Sequence, residues 1–441
     1  MIYRTWAKSI VAVYDGLKTL RMQRMWTRLV AEKRIVVVLC CIIFCAAAVA
    51  GISTGNTLKW PDEQDYHRLA EGIVAGHGYV DESNQPTAYR PPGYPYLLSA
   101  IYSVWDQPVA AKLFNAFALA LTAWLLFLIA RVVSPRGAVF APVLILLFPT
   151  FIFTSATLLA QIPGTMLLVF SVYCLICHPN SKKMTVLAGL SFGMLILMIP
   201  AFLSILLLTV VLLVAIHLIG NHRAYSTSIV CLFLICPLLV ISPWTLRNAI
   251  VFGSFIPVST NSGLNLLYGN SENTKPNSGT TVDISRYFTD EFYAMNEVQK
   301  DVYLKNAAMT WIKNNPLEAA TLYVRKTINH FNFRNELKSN TKRSLVTDAV
   351  LFLTYYPLLA FAAIRLLMWR RFPFSWPEAL LYGLYFGNAL ASAVFFTRIR
   401  FRLPFDALLI AIVAIYIGYL RDRWKAYNNQ SATAQAEPFN T

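Results

Sequence analysis

Residues 61–95 read PDEQDYHRLAEGIVAGHGYVDESNQPTAYRPPGYP. The stretch opens on three acids, Asp62, Glu63 and Asp65, passes through a short helical pattern and closes on Arg90-Pro91-Pro92-Gly93-Tyr94-Pro95. It is polar in a chain that is otherwise apolar, and it separates the first long apolar run from the next. After Asp81, Glu82 and Asp106 no acid appears until Glu272. Ionisable groups are therefore expected outside the apolar runs and gathered on one aqueous face. That pattern points to an enzyme working at a membrane surface.

Outward from this stretch, the 441 residues are 56% hydrophobic with a mean hydropathy of +0.50. Runs of about 20 apolar residues recur along most of the length, which is what a helix needs to cross a bilayer. A soluble chain of this size would show polar faces at helical or strand period instead. The class is an all-α polytopic membrane protein. Apolar segments predict about ten transmembrane helices, near 35–53, 108–130, 137–154, 157–177, 185–199, 200–219, 226–243, 345–368, 376–396 and 404–420. The formal net charge of +16 sits in residues that flank these segments and in the termini. It is a topology signal and does not call for nucleic acid.

Arg131 and Arg136, Lys182 and Lys183, Arg223, Arg365 to Arg371, and Arg421 to Lys425 all fall on one side of the predicted layout. By the positive-inside rule that side is cytoplasmic, together with the N-terminus. Residues 1–34 carry eight Lys or Arg with Ile2, Trp6, Ile10, Val13 and Leu17 between them. They form a cytoplasmic basic segment able to lie as an amphipathic helix on anionic membrane lipids, and are too long and basic for a cleavable signal. Residues 35–420 form the transmembrane domain. It carries a first outer loop, 54–107, with an interfacial helix near Tyr94–Trp105, and a long outer loop, 244–343. Within the latter, 259–281 reads as irregular, and 286–314 reads as helical, ended by Pro316. Residues 421–441 form a cytoplasmic tail, with disorder expected from Ala426. All seven cysteines lie in apolar segments, so no disulfide framework is expected. Cys174-Leu-Ile-Cys177-His178 matches a haem-attachment pattern literally, but it lies on the cytoplasmic side and reads as packing.

Three stretches in order resemble the bacterial members of the GT-C glycosyltransferases, the group that includes protein O-mannosyltransferases and lipid A aminoarabinose transferases. The first is Asp62-Glu63-x-x-Tyr66 with Arg90-Pro91-Pro92-Gly93-Tyr94-Pro95. The second is Pro243-Trp244-Thr245-Leu246-Arg247-Asn248, continuing to Gly263-Leu-Asn265-Leu-Leu-Tyr268-Gly269-Asn270. The third is Arg400-Phe401-Arg402-Leu403-Pro404. Each lies on the predicted outer side, and the resemblance covers about 35–420.

The resemblance implies a GT-C-like fold and an inverting glycosyltransferase of the bacterial inner membrane, its active site facing the periplasm. The implied donor is a polyprenyl-phosphate-linked sugar. The implied acceptor is a cell-surface glycan or glycolipid of the lipid A or O-antigen type, or a protein such as pilin. Asp62 matches the family's catalytic aspartate and is expected to be the general base, with Glu63 the other candidate. Asp62 also stands where a helix N-cap would, and Asp65 reads as solvated. Tyr66, Arg90, Tyr94, Arg247, Asn248, Arg400 and Arg402 are the candidate substrate contacts. The arginines are placed to hold phosphate through paired donors. Arg90 departs from the aminoarabinose branch, which has acid and lysine side chains there. No metal is expected to be required, although Asp62, Glu63, Asp65 and His67 could offer oxygen-rich ligands to a divalent cation.

Two readings compete with catalysis. A secondary transporter would place an ionisable residue or a broken helix at mid-membrane; the acid-free stretch from Gln107 to Ser271 and the lack of an inverted repeat argue against it. A flippase moving lipid-linked sugar without chemistry would need a similar cationic groove. The outer carboxylate cluster separates the enzyme from it.

Overall fold

The computed structural model describes residues 32–219, 225–335 and 344–435, with side chains to residue 429. The described residues are almost entirely helical or loop, with no β-strand. The long apolar helices are α1 (Glu32–Thr54), α4 (Pro108–Val133), α7 (Gln161–Cys177), α8 (Lys182–Met198), α9 (Phe202–Ile219), α10 (Thr227–Phe252), α15 (Leu345–Leu367), α16 (Trp376–Val394) and α17 (Ile399–Gln435). Six of them, α1, α4, α9, α10, α15 and the first part of α17, are long and apolar enough to cross a membrane.

A helix lies at each of the ten predicted places, with one changed in kind. The segment expected at 137–154 is two short helices, α5 (Phe140–Leu146) and α6 (Pro149–Ser155). Pro149 opens the second, where its missing N–H costs nothing. This break carries no ionisable side chain. α10 runs on to Phe252 with Pro237 and Pro243 inside it, so the long outer loop begins at Gly253, nine residues later than expected. Neighbouring helices make such prolines tolerable in membrane helices. α17 continues to Gln435, past the expected onset of disorder. The basic segment 1–31 lies outside the described residues.

α17 is the axis of the bundle. Of its most apolar window 83% is buried inside the protein, against 28% for α1 and α9 and 22% for α15. Helices apolar on every side show no amphipathic period, so the sequence alone does not rank them by depth.

Contacts divide the bundle into two ends. At one end lie the Arg136–Asp422 and Arg365–Glu378 ion pairs and the hydrogen bond from Tyr225 Oη to the Leu175 carbonyl. This is the end with the Lys/Arg-rich connections. At the other end lie the two segments expected as outer loops. The first holds α2 (Pro61–Val74) and α3 (Gly93–Tyr102); the second holds α11 (Ser262–Gly269), α12 (Asp290–Ala294), α13 (Glu297–Asn314) and α14 (Pro316–Asn329). The stretch 259–281 is thus not wholly irregular, since α11 lies within it. Pro316 both ends one helix and opens the next.

Ionisable groups are not excluded from the helices. Lys112 of α4, Arg365 with Glu378, and Arg402 with Asp406 are all buried. Each is paired or hydrogen-bonded, which is the condition for burying a charge at all. The seven cysteines are free, and Cys174 is packed in the core of α7.

Candidate active site

Asp62 is the second residue of α2, not its cap; Trp60 occupies the cap position and Pro61 the first helical one. One carboxylate oxygen of Asp62 accepts from Arg400 Nη1 at 2.6 Å and the other from Arg90 Nη2 at 2.8 Å. Arg90 also donates through Nε and Nη2 to Asp65 Oδ2, at 2.9 and 2.6 Å. Asp65 is therefore part of the cluster and not merely solvated. Asp62 and Arg400 are 338 positions apart in sequence; the bundle alone brings them together.

Burial works against an ionised Asp62, but the charges and hydrogen bonds of Arg400 and Arg90 outweigh it and hold the carboxyl below its usual range. Burial likewise disfavours charge on Arg90; Asp62, Tyr66 and Asp65 reverse that and push its pKa up. The cluster thus holds Asp62 and Arg90 as paired ions. It is also partly open, with Asp62 and Arg400 side chains 23% and 31% exposed. Arg400 Nε is buried with no hydrogen-bond partner. Arg398, which the sequence did not single out, lies close enough that Arg400 and Asp62 both shift it. Burial, then Arg400, bring its pKa down to about 10.

The arm that carries Arg90 is rigid by construction. Pro91 and Pro92 follow it, and the Tyr79 hydroxyl donates to its carbonyl at 2.8 Å. Gly93 lies against the end of α8, where an added Cβ would come within 2.8 Å of the Leu197 and Met198 backbone. The motif's glycine is thus a contact requirement. Tyr66 and Tyr94 pack edge to face, centroids 5.2 Å apart, behind the arginine. The Arg90 guanidinium stands 5.6 Å from the Tyr66 ring and 5.2 Å from the Tyr89 ring. Both Tyr66 and Tyr94 are buried, so they form the wall of the cluster and leave the open face to others. Burial, with the net effect of the surrounding charges, pushes the Tyr66 phenol up to about 12.

Other sequence candidates are placed elsewhere. Glu63 is turned inward: it accepts backbone N–H groups of Lys59 at 2.6 Å, Trp60 at 2.9 Å and Leu158 at 2.8 Å. It caps α2 and ties it to the turn after α6. Arg247 donates to the carbonyls of Thr87 at 2.9 Å and Tyr79 at 3.3 Å. Asn248 is buried and donates to the Ile256 carbonyl at 3.0 Å. These two brace the first outer loop and the exit of α10; none of their hydrogen bonds reaches the acids. Glu297 of α13, which sequence reasoning missed, completes that brace by accepting from Thr87 Oγ1, the Ala88 N–H and Thr260 Oγ1.

Arg402 is sealed in the bundle, paired with Asp406 at 3.0 Å and donating to the carbonyls of His330 and Asn332. Its guanidinium lies 3.6 Å from the Tyr355 ring centroid. Burial, the Asp406 pair and the two carbonyls leave it closed off from the open face of the cluster. A carboxylate four residues on, at an i,i+4 spacing, is the signal that could have revealed this.

The four candidate metal ligands do not converge. Asp62 and Asp65 face arginines, Glu63 faces backbone amides, and His67 contacts the Tyr102 hydroxyl at 3.0 Å and Glu71 at 3.2 Å. Among the described residues no group of three or more His, Cys, Asp or Glu side chains is placed to hold a metal ion.

The architecture defines a multi-pass membrane protein with a GT-C-like fold and an acid–arginine cluster at one end of the bundle. Over 93% of this chain it is similar to the apo oligosaccharyltransferase of Archaeoglobus fulgidus, with a TM-score of 0.57 and 17% identity. A second structure of that organism's oligosaccharyltransferase AglB, in complex with an inhibitory peptide and a dolichol-phosphate, is similar over 91% of the chain at a TM-score of 0.51 and 14% identity. The chain spans 53% and 52% of those two proteins, about half their length. ArnT from Cupriavidus metallidurans, bound to undecaprenyl phosphate, aligns over 87% of this chain and 78% of its own, with 12% identity; its TM-score of 0.43 is too low to argue from. No protein-family model and no curated protein matches the sequence.

Proposed function

We propose that the chain is an inverting glycosyltransferase that moves a sugar from a polyprenyl-phosphate donor to an acceptor hydroxyl at the periplasmic face of the bacterial inner membrane. The observation that carries this reading is the position of Asp62, ionised and held between Arg90 and Arg400 at the open end of the bundle. Displacement at an anomeric carbon needs a base for the incoming hydroxyl and cations for the departing phosphate. Both are within one cluster here.

The reaction balances as follows. The acceptor oxygen bonds to the anomeric carbon from the face opposite the phosphate and inverts it. Its proton passes to a carboxylate oxygen of Asp62. The carbon–oxygen bond to phosphate breaks, and the electron pair leaves with the polyprenyl phosphate, which Arg400 and Arg90 hold.

The resting ion pairs also restrain the base, because arginines that lower a carboxyl pKa weaken its basicity. When the arginines turn to the donor phosphate, Asp62 loses that stabilisation and becomes the stronger base. Donor binding thus prepares the proton acceptor. Glu63 contributes by fixing the first turn of α2, and Arg247, Asn248 and Glu297 by holding the loop that carries Arg90. The acceptor is a cell-surface glycan or glycolipid, with a protein such as pilin the other member of the class. No step above requires a metal; the divalent possibility is tested by transfer in the presence of a chelator.

The test is transfer by purified protein in vesicles containing polyprenyl-phosphate-linked sugar. Mass spectrometry then follows lipid A, O-antigen and pilin, from cells with and without the chain. Asp62→Asn should lower transfer about 10²- to 10⁴-fold, the range for a positioned acid or base, while the protein still folds and binds donor. Movement of the lipid-linked sugar across the vesicle with no transfer at all would overturn the enzyme and leave a flippase.

A further inference from the structure

Lys326, on α14, is fully buried and forms no ion pair among the described residues. Its ammonium donates to the Gly269 carbonyl at 2.7 Å, the Phe395 carbonyl at 2.8 Å and Asn270 Oδ1 at 3.3 Å. Gly269 is the last residue of α11 and Phe395 the first beyond α16. Helix C-termini present unpaired carbonyls and the negative end of the helix dipole. A cation set between two such ends finds compensation without an anion. The cost of burying it remains visible, since burial pulls its pKa down to about 7.

The two helix ends approach closely. An added Cβ on Gly269 would lie 1.8 Å from the Phe395 carbonyl oxygen. Asn270 donates to the Val394 carbonyl at 2.9 Å, and Asn329, three residues after Lys326, donates to Thr397 Oγ1 at 2.9 Å. The residues so gripped, 394–397, lead directly into Arg398 and Arg400. The guanidinium that meets Asp62 lies only three to six positions beyond the clamp.

We infer that Lys326 is a positioning residue: by joining the ends of α11 and α16 it sets the turn 395–398 and so aims Arg400 at Asp62. It touches no reacting atom. The role of Arg400 in donor binding rests on the function proposed above, but the placement of the turn does not, and the two are tested separately.

In ligand-free wild-type protein, amide hydrogen exchange at 396–401 should share one opening with residues 322–330, at the end of α14, because the clamp must release both. Lys326→Met keeps the chain length and removes the donors; it should speed exchange at 396–401 about tenfold or more, in line with the strength of hydrogen bonds to charged groups. Exchange in α1 should not change. Lys326→Gln, with two donors, should recover part of the protection. In transfer assays Lys326→Met should raise the KM for donor about tenfold and leave the KM for acceptor unchanged.

Separate wild-type opening of 396–401 and 322–330 would overturn the inference even if no variant folds. So would unchanged exchange at 396–401, or acceleration spread evenly through the bundle, in Lys326→Met. Absence of transfer by the wild type with any donor would count against the proposed function alone, since the exchange readouts need no substrate.

Discussion

Arg400 and Arg402 are two residues apart on one helix and have opposite fates. Arg402 is paired with Asp406, fills two carbonyls, stacks on Tyr355 and is out of reach of solvent. Arg400 shares Asp62 with Arg90, stands partly exposed and keeps one buried N–H without a partner. Two positions along a helix turn a side chain through roughly 200°, so one guanidinium enters the bundle and the other faces the outer loop. Both are arginines, and each pairs with an aspartate. Under the function proposed above, the partly exposed Arg400 is the one placed to meet a ligand.

The contrast can be broken most forcefully at Arg402. Arg402→Ala strands Asp406 in the core and should cost about 3–5 kcal/mol, the range for a buried pair that loses one member. Thermal unfolding in detergent measures it, and a stable, donor-blind Arg402→Ala would exchange the roles of the two arginines. Arg400→Ala should fold with a near-normal melting temperature. Its KM for the lipid-phosphate donor should rise about 10- to 100-fold, the worth of a charged hydrogen bond.

Glu63→Gln sharpens the same comparison on the acidic side. Its single amide oxygen cannot serve three backbone N–H groups, so stability should fall by about 1–3 kcal/mol. The kcat of the folded fraction should stay close to wild type; a loss matching that of Asp62→Asn would return Glu63 to the role of base.

The smallest effect is electrostatic and is read by pH. The Asp62 carboxyl is held below its ordinary value of 3.8, so the folded state binds its proton less readily than the unfolded chain. Its pairs with Arg400 and Arg90 therefore contribute stability in full above that value and lose it as pH falls through the lower, folded one. Unfolding midpoints of wild type and Asp62→Asn should converge on acidification below about pH 4. Parallel curves would show that the pairs add nothing to the fold.

Much of this protein was legible from residue order. Ten apolar runs marked ten helical places. Asp62, with its cluster of acids, and Arg90, with its prolines, stood out because charge is rare in this chain. What the sequence concealed is instructive by residue. Glu63 and Asp62 are chemically alike and adjacent, yet a helix places neighbouring side chains about 100° apart, so only packing decides which faces backbone amides. Asp406 was hidden within an apolar run, where its i,i+4 arginine was the single cue. Lys326 gave no sign at all, because its partners are carbonyls that every residue carries.

Apolar run length determined, without further help, that this is a helical membrane protein, and the side on which Lys and Arg collect set its expected orientation. Those are properties of local composition against the bilayer. Which arginine meets Asp62 was decided by the bundle, as was the sealing of Arg402 and the burial of a lone ammonium between two helix ends. Charge pairing across hundreds of residues depends on where whole helices come to rest, and no local pattern encodes it.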